Sequence, residues 1–182
     1  MTSSALTNIV SNEEIDLVKV GTAKKIINSL LDELPIHIEN GAGPFLAAIY
    51  DENGSLIAKA SNSVVNETCS NCHAEVNVIK KAEEVLGTYD LSKYNLSLYV
   101  TAEPCIMCIG AIMWSGIKSV YFSTPSKSVE EITGFDEGFK PEWLKEFKNR
   151  GITVYGNIEA EYGRKVLEDY VKSDNTIYKP QR

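Results

Sequence analysis

The sequence is poor in the side chains that bind transition metals, with only two histidines and four cysteines among its 182 residues. It also lacks any uninterrupted run of about 18 apolar residues, the length that a membrane-spanning helix requires. The first eight residues contain no basic segment followed by a long apolar one, which disfavours a secretory signal. We therefore expect no contact with a membrane, a cytoplasmic location and reduced thiols.

Basic residues are in the minority as well. The chain has 18 lysines and arginines against 25 acidic residues, which gives a formal net charge of −7. Two lysines are adjacent only at Lys24-Lys25 and at Lys80-Lys81. Because proteins that bind nucleic acid usually carry a basic stripe, this charge balance disfavours a nucleic-acid partner.

The composition and the order of segments predict one α/β domain over residues 1–182, with a core at about 11–157 and a C-terminal helix and tail at 158–182. A capping box at 11–14 predicts the first helix, which should end before Pro35. Strands are predicted at 45–50, 56–60, 96–100, 118–123 and 152–155. Further helices are predicted at 73–86, 105–115, 142–150 and 159–172, and residues 124–141 should be mostly irregular. Strands that alternate with helices predict parallel pairing and a sheet covered on both faces.

Two short segments bring the scarce ligand types together: His73-Ala74-Glu75 and Pro104-Cys105-Ile106-Met107-Cys108. One imidazole and two thiolates are three protein ligands for one Zn²⁺ per chain, and a tetrahedral ion then keeps one position for water. Both segments should begin helices, with Pro104 at a first helical position. Glu75 lies two positions from His73, so its carboxylate should face the open position instead of becoming a fourth ligand.

This arrangement predicts hydrolytic deamination of a flat, amino-substituted ring. Zinc lowers the pKa of its bound water to about 7, and the resulting hydroxide should attack the ring carbon that carries the amine. Glu75 is the predicted proton shuttle from the water to a ring nitrogen and to the departing ammonia. The order H-x-E and then P-C-x-x-C is the signature of zinc-dependent nucleobase deaminases.

The other cysteine pair permits different interpretations. Cys69-x-x-Cys72-His73 fits the haem attachment pattern, and Cys69 and Cys72 with Cys105 and Cys108 would make a closed four-thiolate zinc site. We disfavour the first because we expect no export, and the second because the two pairs are farther apart than usual and Glu75 would have no purpose. A binding module in which zinc only staples two helix ends is the alternative outside enzymes. The role of Cys69 and Cys72 stays open.

Between residues 41 and 137 the chain resembles the cytidine deaminase-like superfamily, and within it the small, zinc-dependent bacterial guanine deaminases. Besides the zinc segments, the resemblance is carried by Gly43-Pro44-Phe45, the loop that starts at Asn62, Gly110-Ala111-Ile112, Trp114, and Gly134-Phe135-Asp136-Glu137. It implies a three-layer α/β/α sandwich with a five-stranded mixed sheet. It further implies a homodimer in which C-terminal segments are exchanged between the subunits.

The resemblance also implies which residues hold the base. Asn62 would recognise it through its amide, Ala74 through its backbone N–H, and Glu137 as a second acid that acts on guanine, with Asp136 as the neighbouring candidate. Phe45 and Trp114 are candidates for stacking on the ring, and Tyr178 is the aromatic residue of the tail that would close the pocket.

The expected reaction is therefore the conversion of guanine, a small-molecule nucleobase, to xanthine and ammonia. A tRNA adenosine deaminase shares the zinc machinery and is the main alternative, although the acidic balance disfavours it. Cytosine, cytidine and aminotriazines remain possible substrates at this stage.

Overall fold

The computed structural model describes residues 9–178 and has a mixed sheet between two layers of helices. The order of elements along the chain is β1 (Val10–Ser11), α1 (Leu17–Glu39), β2 (Leu46–Tyr50), β3 (Leu56–Ser61), α2 (Ala74–Leu86), β4 (Ser97–Ala102), α3 (Ile106–Ser115), β5 (Ser119–Thr124), α4 (Ser126–Thr133), α5 (Trp143–Asn149), β6 (Thr153–Gly156) and α6 (Ala160–Lys172).

The sheet has the strand order β1-β6-β5-β4-β2-β3. Strands β4, β5 and β6 are parallel, whereas β2 pairs antiparallel with both β3 and β4. The predicted α/β fold with a mixed sheet is confirmed, but the strand count is six instead of five. The extra strand is β1, two residues long, which pairs antiparallel with β6 at the edge.

Two apolar layers cover the two faces of the sheet. One buried cluster joins strands β2, β4 and β5 to helices α2, α3 and α5, and a second joins the opposite face to α1 and α6. On the second face, Tyr50, Tyr99, Tyr121 and Tyr155 lie side by side on four neighbouring strands. The centroids of neighbouring rings in this row are 4.7 to 5.6 Å apart. The fold is thus the expected three-layer sandwich.

The predicted bounds of helix α1 were wrong at both ends. Its N-cap is Asp16, whose carboxylate accepts hydrogen bonds from the backbone N–H groups of Val18 and Lys19, and the proposed capping box lies outside the helix. At the other end, Pro35 lies inside the helix, which continues to Glu39. Proline removes one backbone hydrogen bond, but it comes in the last turns, where packing of the neighbouring apolar side chains on the sheet keeps the chain helical.

Two further local predictions were wrong near the pocket described below. Residues 126–133, expected to be irregular, form helix α4, which ends at Gly134 with φ +73°. Pro104 is not the first residue of a helix, because Cys105 is the N-cap of α3 and Ile106 its first residue. In contrast, the predicted hairpin of β2 and β3 is confirmed.

Within residues 9–178, none of the helices combines the length and the apolar character that crossing a bilayer would need.

Candidate active site

The three predicted metal ligands converge between the first turns of two helices. The Cys105 Sγ lies 3.5 Å from the His73 Nδ1 and 3.6 Å from the Cys108 Sγ, and the Cys108 Sγ lies 3.7 Å from the same nitrogen. In a tetrahedral zinc site with ordinary bond lengths, the sulfur–nitrogen edge is about 3.6 Å and the sulfur–sulfur edge about 3.8 Å. The donor set and its spacing therefore fit one zinc ion without rearrangement.

Both helix starts favour the ligand forms of these side chains. His73 is the N-cap of α2 and Cys105 is the N-cap of α3, and neither side chain makes a capping hydrogen bond. The backbone N–H groups of a first turn lack intrahelical acceptors and carry partial positive charge, which stabilises a thiolate. The Cys108 thiol and the His73 ring hydrogen-bond Cys105 and lower its pKa to about 4, against the effect of burial.

Glu75 lies on the first turn of α2, beside the ligands. Its side chain lines the pocket and the residue is only 6% exposed. Burial raises the pKa of its carboxyl, and the nearby charge of Cys105 raises it further. A carboxyl whose pKa is raised holds a proton more readily than an ordinary one, which suits a group that must both accept and return a proton.

Asn77 fixes the loop that leads into the metal site. Its side-chain amide donates hydrogen bonds to the Ser61 carbonyl, the Ser63 hydroxyl and the Cys72 carbonyl, at 2.9 to 3.2 Å. It lies one turn after His73 on α2, and its backbone N–H donates to the His73 carbonyl. The position of His73 is thus set from both sides, a contribution of Asn77 that the sequence motif alone did not reveal.

A pocket of about 550 Å³ opens in front of the metal ligands. Its aromatic wall is made by Phe45, Phe135 and Tyr178, with ring centroids 5.5 Å apart for the first pair and 4.8 Å for the second. The Tyr178 ring also lies 6.4 Å from the His73 ring. Flat apolar walls of this kind suit a planar heterocycle.

Asn62 lies at the base of this pocket and is completely buried. Its Oδ1 accepts a hydrogen bond from the Val64 backbone N–H. Its Nδ2 and the Tyr178 hydroxyl are neighbours, but neither makes a hydrogen bond of normal geometry with the described residues. A buried polar group without a partner costs free energy, so both groups are suited to a ligand. Gly43 must be glycine here, because a Cβ would lie 2.7 Å from the Asn62 Oδ1.

The segment after α4 contributes two further acidic residues to the pocket. Both Asp136 and Glu137 line it. Burial raises the pKa of Glu137 to about 8, against the opposing charge of Lys140, and the charges of Cys105 and Glu75 raise it further. Two carboxyl groups, those of Glu75 and Glu137, therefore share one largely enclosed site.

The structure brings most of the predicted residues together but not all of them. Trp114 is 84% exposed and borders a separate shallow depression with Met113 and Ile152, away from the pocket. Ala74 is buried at the first position of α2, where a backbone N–H has no acceptor within the helix. The structure gives Trp114 no place in this chain's pocket, whereas Phe45 lies in it.

Cys69 and Cys72 do not join the metal ligands. They are free thiols on the preceding loop, where Cys69 donates to the Asn71 Oδ1 at 2.8 Å and Cys72 contacts the Glu67 carboxylate at 3.6 Å. Within residues 9–178, the cluster of possible ligands for a metal contains His73, Cys105 and Cys108. The interpretation of a four-thiolate site is therefore wrong.

The sequence motifs assign no role to one further pocket residue, Glu103. Glu103 lines the pocket directly before the metal-binding segment, and its carboxylate is engaged by three other groups. The sequence shows that a glutamate precedes Pro104. It does not show the partners of this glutamate, which come from residues 126–143.

The fold and the site together define a class of protein, the zinc-dependent hydrolytic deaminases. A family model for the cytidine and deoxycytidylate deaminase zinc-binding region matches residues 24–124, and the chain belongs to that family.

Relatives with different substrates resemble the chain to a similar degree. It is 41% identical over 97 residues to a guanine deaminase of Bacillus subtilis, an alignment that covers 53% of this chain and 60% of that protein. It is 43% identical over 127 residues to the tRNA-specific adenosine deaminase of the same organism, covering 69% of this chain and 74% of the relative. The solved guanine deaminase of Nitrosomonas europaea superposes with a TM-score of 0.78 at 36% identity, over 81% of this chain and 83% of that one.

Proposed function

We propose that this protein converts guanine and water to xanthine and ammonia. The observation that carries the proposal is a second carboxyl group, that of Glu137, which lines the same pocket as Glu75 but belongs to the segment after α4. Guanine presents two adjacent donors, the ring N1–H and the exocyclic amine. Hydrogen bonds from these donors favour the ionised form of Glu137 against the effect of burial, and its carboxylate then accepts both with its two oxygens. Adenine and cytosine have an unprotonated ring nitrogen beside the amine, which such a carboxylate would repel.

The remaining pocket groups complement the same base. The Asn62 amide is buried without a partner for its Nδ2, and guanine offers acceptors at O6, N7 and N3. Phe45, Phe135 and Tyr178 provide the apolar walls for the flat ring. The Ala74 N–H at the start of α2 is a further donor in the proposal, and Asp136 is the alternative to Glu137 as the recognising acid.

His73, Cys105 and Cys108 would hold the zinc ion, which would supply a water of lowered pKa for attack on C2, the guanine carbon that carries the amine. Glu75 takes a proton from that water and delivers it to N3, the unprotonated ring nitrogen beside C2. It then helps to protonate the amine that leaves as ammonia.

Electrostatics favours a free base over a nucleic acid. Four acidic residues line the pocket, namely Glu75, Glu103, Asp136 and Glu137. Lys140, which borders this region, is paired with Glu103 at 3.3 Å. With a net charge of −7 on the chain and the Lys140 ammonium already paired, phosphate groups gain little attraction, and a tRNA anticodon loop is the less favoured substrate despite the adenosine deaminase relative.

Ammonia release from a panel of compounds tests the proposal. The panel contains guanine, cytosine, cytidine, adenosine, an aminotriazine and a tRNA anticodon stem-loop. We expect the highest kcat/KM with guanine. Faster deamination of the stem-loop or of cytosine would refute the substrate assignment while leaving the deaminase class intact.

A pair of variants tests which acid recognises the base. Glu137→Gln should lower kcat/KM for guanine by about 10- to 10²-fold, since glutamine keeps one acceptor oxygen and loses one charged hydrogen bond, worth about 1.5–3 kcal/mol. Asp136→Asn is the matched neighbour and should have a smaller effect. Zinc content should be unchanged in both. If the order of the two effects is reversed, Asp136 is the recognising acid and the assignment of Glu137 fails.

We further propose that the protein acts in the cytoplasm as a homodimer. Tyr178 packs on Phe135 of its own chain. This contact supports a pocket that is closed by the tail of the same subunit and not by an exchanged tail. Sedimentation of the native protein gives the oligomeric state, and a monomer at micromolar concentration would contradict the dimer.

A further inference from the structure

Glu103, which directly follows strand β4, contacts three residues farther along the chain. Its Oε2 accepts a hydrogen bond from the Ser126 backbone N–H at 2.9 Å, and its Oε1 accepts one from the Trp143 indole N–H at 3.2 Å. The same Oε1 lies 3.3 Å from the Lys140 ammonium, and the two side chains of this pair are only 16% and 17% exposed. An ion pair this well enclosed is less screened than the pairs on the surface.

These contacts secure both ends of one segment. Ser126 begins α4, and Trp143 begins α5, so the chain between them is attached to β4 at its start and at its end. Lys140 also hydrogen-bonds the Ser126 hydroxyl, which ties the two ends to each other. Glu137 lies between these attachment points.

The Glu103 carboxylate is fully engaged by these partners. Each of its oxygens accepts from a protein donor, and the ammonium of Lys140 balances its charge. Although it lines the pocket, it is therefore poorly placed to bind substrate itself. Glu103 holds the Lys140 ammonium near Glu137. The positive charge of Lys140 lowers the pKa of Glu137 and so opposes the rise caused by burial.

From this geometry we infer that Glu103 is a positioning residue, which sets the place of the Glu137 carboxylate over the pocket by clamping residues 126–143 to β4. The inference rests on the proposed function, because it assigns the purpose of the clamp to the acid that recognises the base.

Kinetics of three variants test the clamp. Glu103→Gln and Lys140→Met should each lower kcat/KM for guanine at least tenfold, with most of the change in KM, because Glu75 and the zinc ligands are untouched. The double variant should be little worse than either single variant, since both remove the same contact. Glu159→Gln is the matched control, because it breaks a partly buried ion pair with Lys24 at 3.4 Å that lies away from the pocket.

A second measurement does not depend on turnover. The chain has two tryptophans, and Trp114→Phe leaves the buried Trp143 as the only one. In that background, Glu103→Gln should increase quenching of Trp143 fluorescence by acrylamide and shift its emission to longer wavelength. Glu159→Gln should change neither, and zinc content should stay at one per chain in all variants.

The results separate this inference from the proposed function. Unchanged quenching and unchanged KM in Glu103→Gln overturn the clamp even if the native protein deaminates guanine. A loss of activity that Glu159→Gln reproduces also overturns it, because the effect would then be one of general stability. If the native protein does not act on guanine, the proposed function fails. The role of Glu103 is then tested by Trp143 quenching and by KM for the best substrate of the panel.

Discussion

Replacing Glu75 with glutamine separates the chemistry of the site from its stability. Glutamine has the same shape, and Glu75 is almost fully buried beside the metal ligands, so the pocket should keep its form. The amide cannot take a proton from water and return it. General acid–base catalysis contributes about 10²–10⁴-fold for each positioned transfer, and this residue serves at least two of them. We therefore expect kcat to fall by at least about 10³-fold, equivalent to roughly 4 kcal/mol.

The same substitution should not destabilise the fold. Burial raises the pKa of Glu75, which means that its charged form is disfavoured in the folded protein. A neutral amide removes that cost, so the Tm should be equal or higher. The assay combines initial rates of ammonia release, zinc content by atomic absorption and thermal unfolding. A variant within tenfold of the native rate refutes the shuttle, and loss of zinc would make Glu75 a part of the metal site instead.

Three further predictions concern the metal and the core. Chelation of zinc should abolish turnover and lower the Tm, because the ion binds the folded state. Added zinc should restore both. Activity that survives complete removal of zinc refutes the metal mechanism. A Cys69→Ser, Cys72→Ser double variant should keep one zinc per chain by atomic absorption, and a lost ion would contradict the three-ligand site. Gly156→Ala should destabilise the protein by about 1–3 kcal/mol in denaturant titration, because a Cβ would lie 2.0 Å from the Phe122 ring; an unchanged midpoint would show that β6 can shift.

The metal site could be predicted from the sequence because its ligands belong to two local motifs. Spacing alone places Cys105 and Cys108 on one helical face, and the glutamate two residues after His73 falls beside them. The distances between the ligand atoms, all 3.5 to 3.7 Å, confirm that grouping. The hairpin was equally accessible, because its turn residues determine its conformation locally.

Features that depend on distant contacts were not accessible in the same way. Strand β1 has two residues and exists only because β6 lies beside it. Helix α4 starts where the Glu103 carboxylate accepts the Ser126 N–H, a contact between residues that are 23 positions apart. Pro35 suggested a helix end because proline removes a backbone hydrogen bond, an effect that is visible in the sequence. The packing of α1 on the sheet, which outweighs this loss, is not visible there.

The exposed position of Trp114 could not be predicted from the sequence either. A resemblance carries residue types from one sequence to another, but not the direction in which a side chain points from its helix. In α3, the buried face holds Cys108, Ile109 and Ile112, and Trp114 lies on the exposed face.

The row of tyrosines beneath α1 gives this molecule two separate optical reporters. Four phenol rings absorb and couple on one face of the sheet, whereas the indole of Trp143 lies on the other face, against Phe122 and Phe147. In the Trp114→Phe background, near-ultraviolet circular dichroism in the tyrosine band and emission from Trp143 would therefore follow the two helical layers separately. Coincident melting curves would mean that the layers are lost in one cooperative step, and divergent curves would mean that one layer comes apart first.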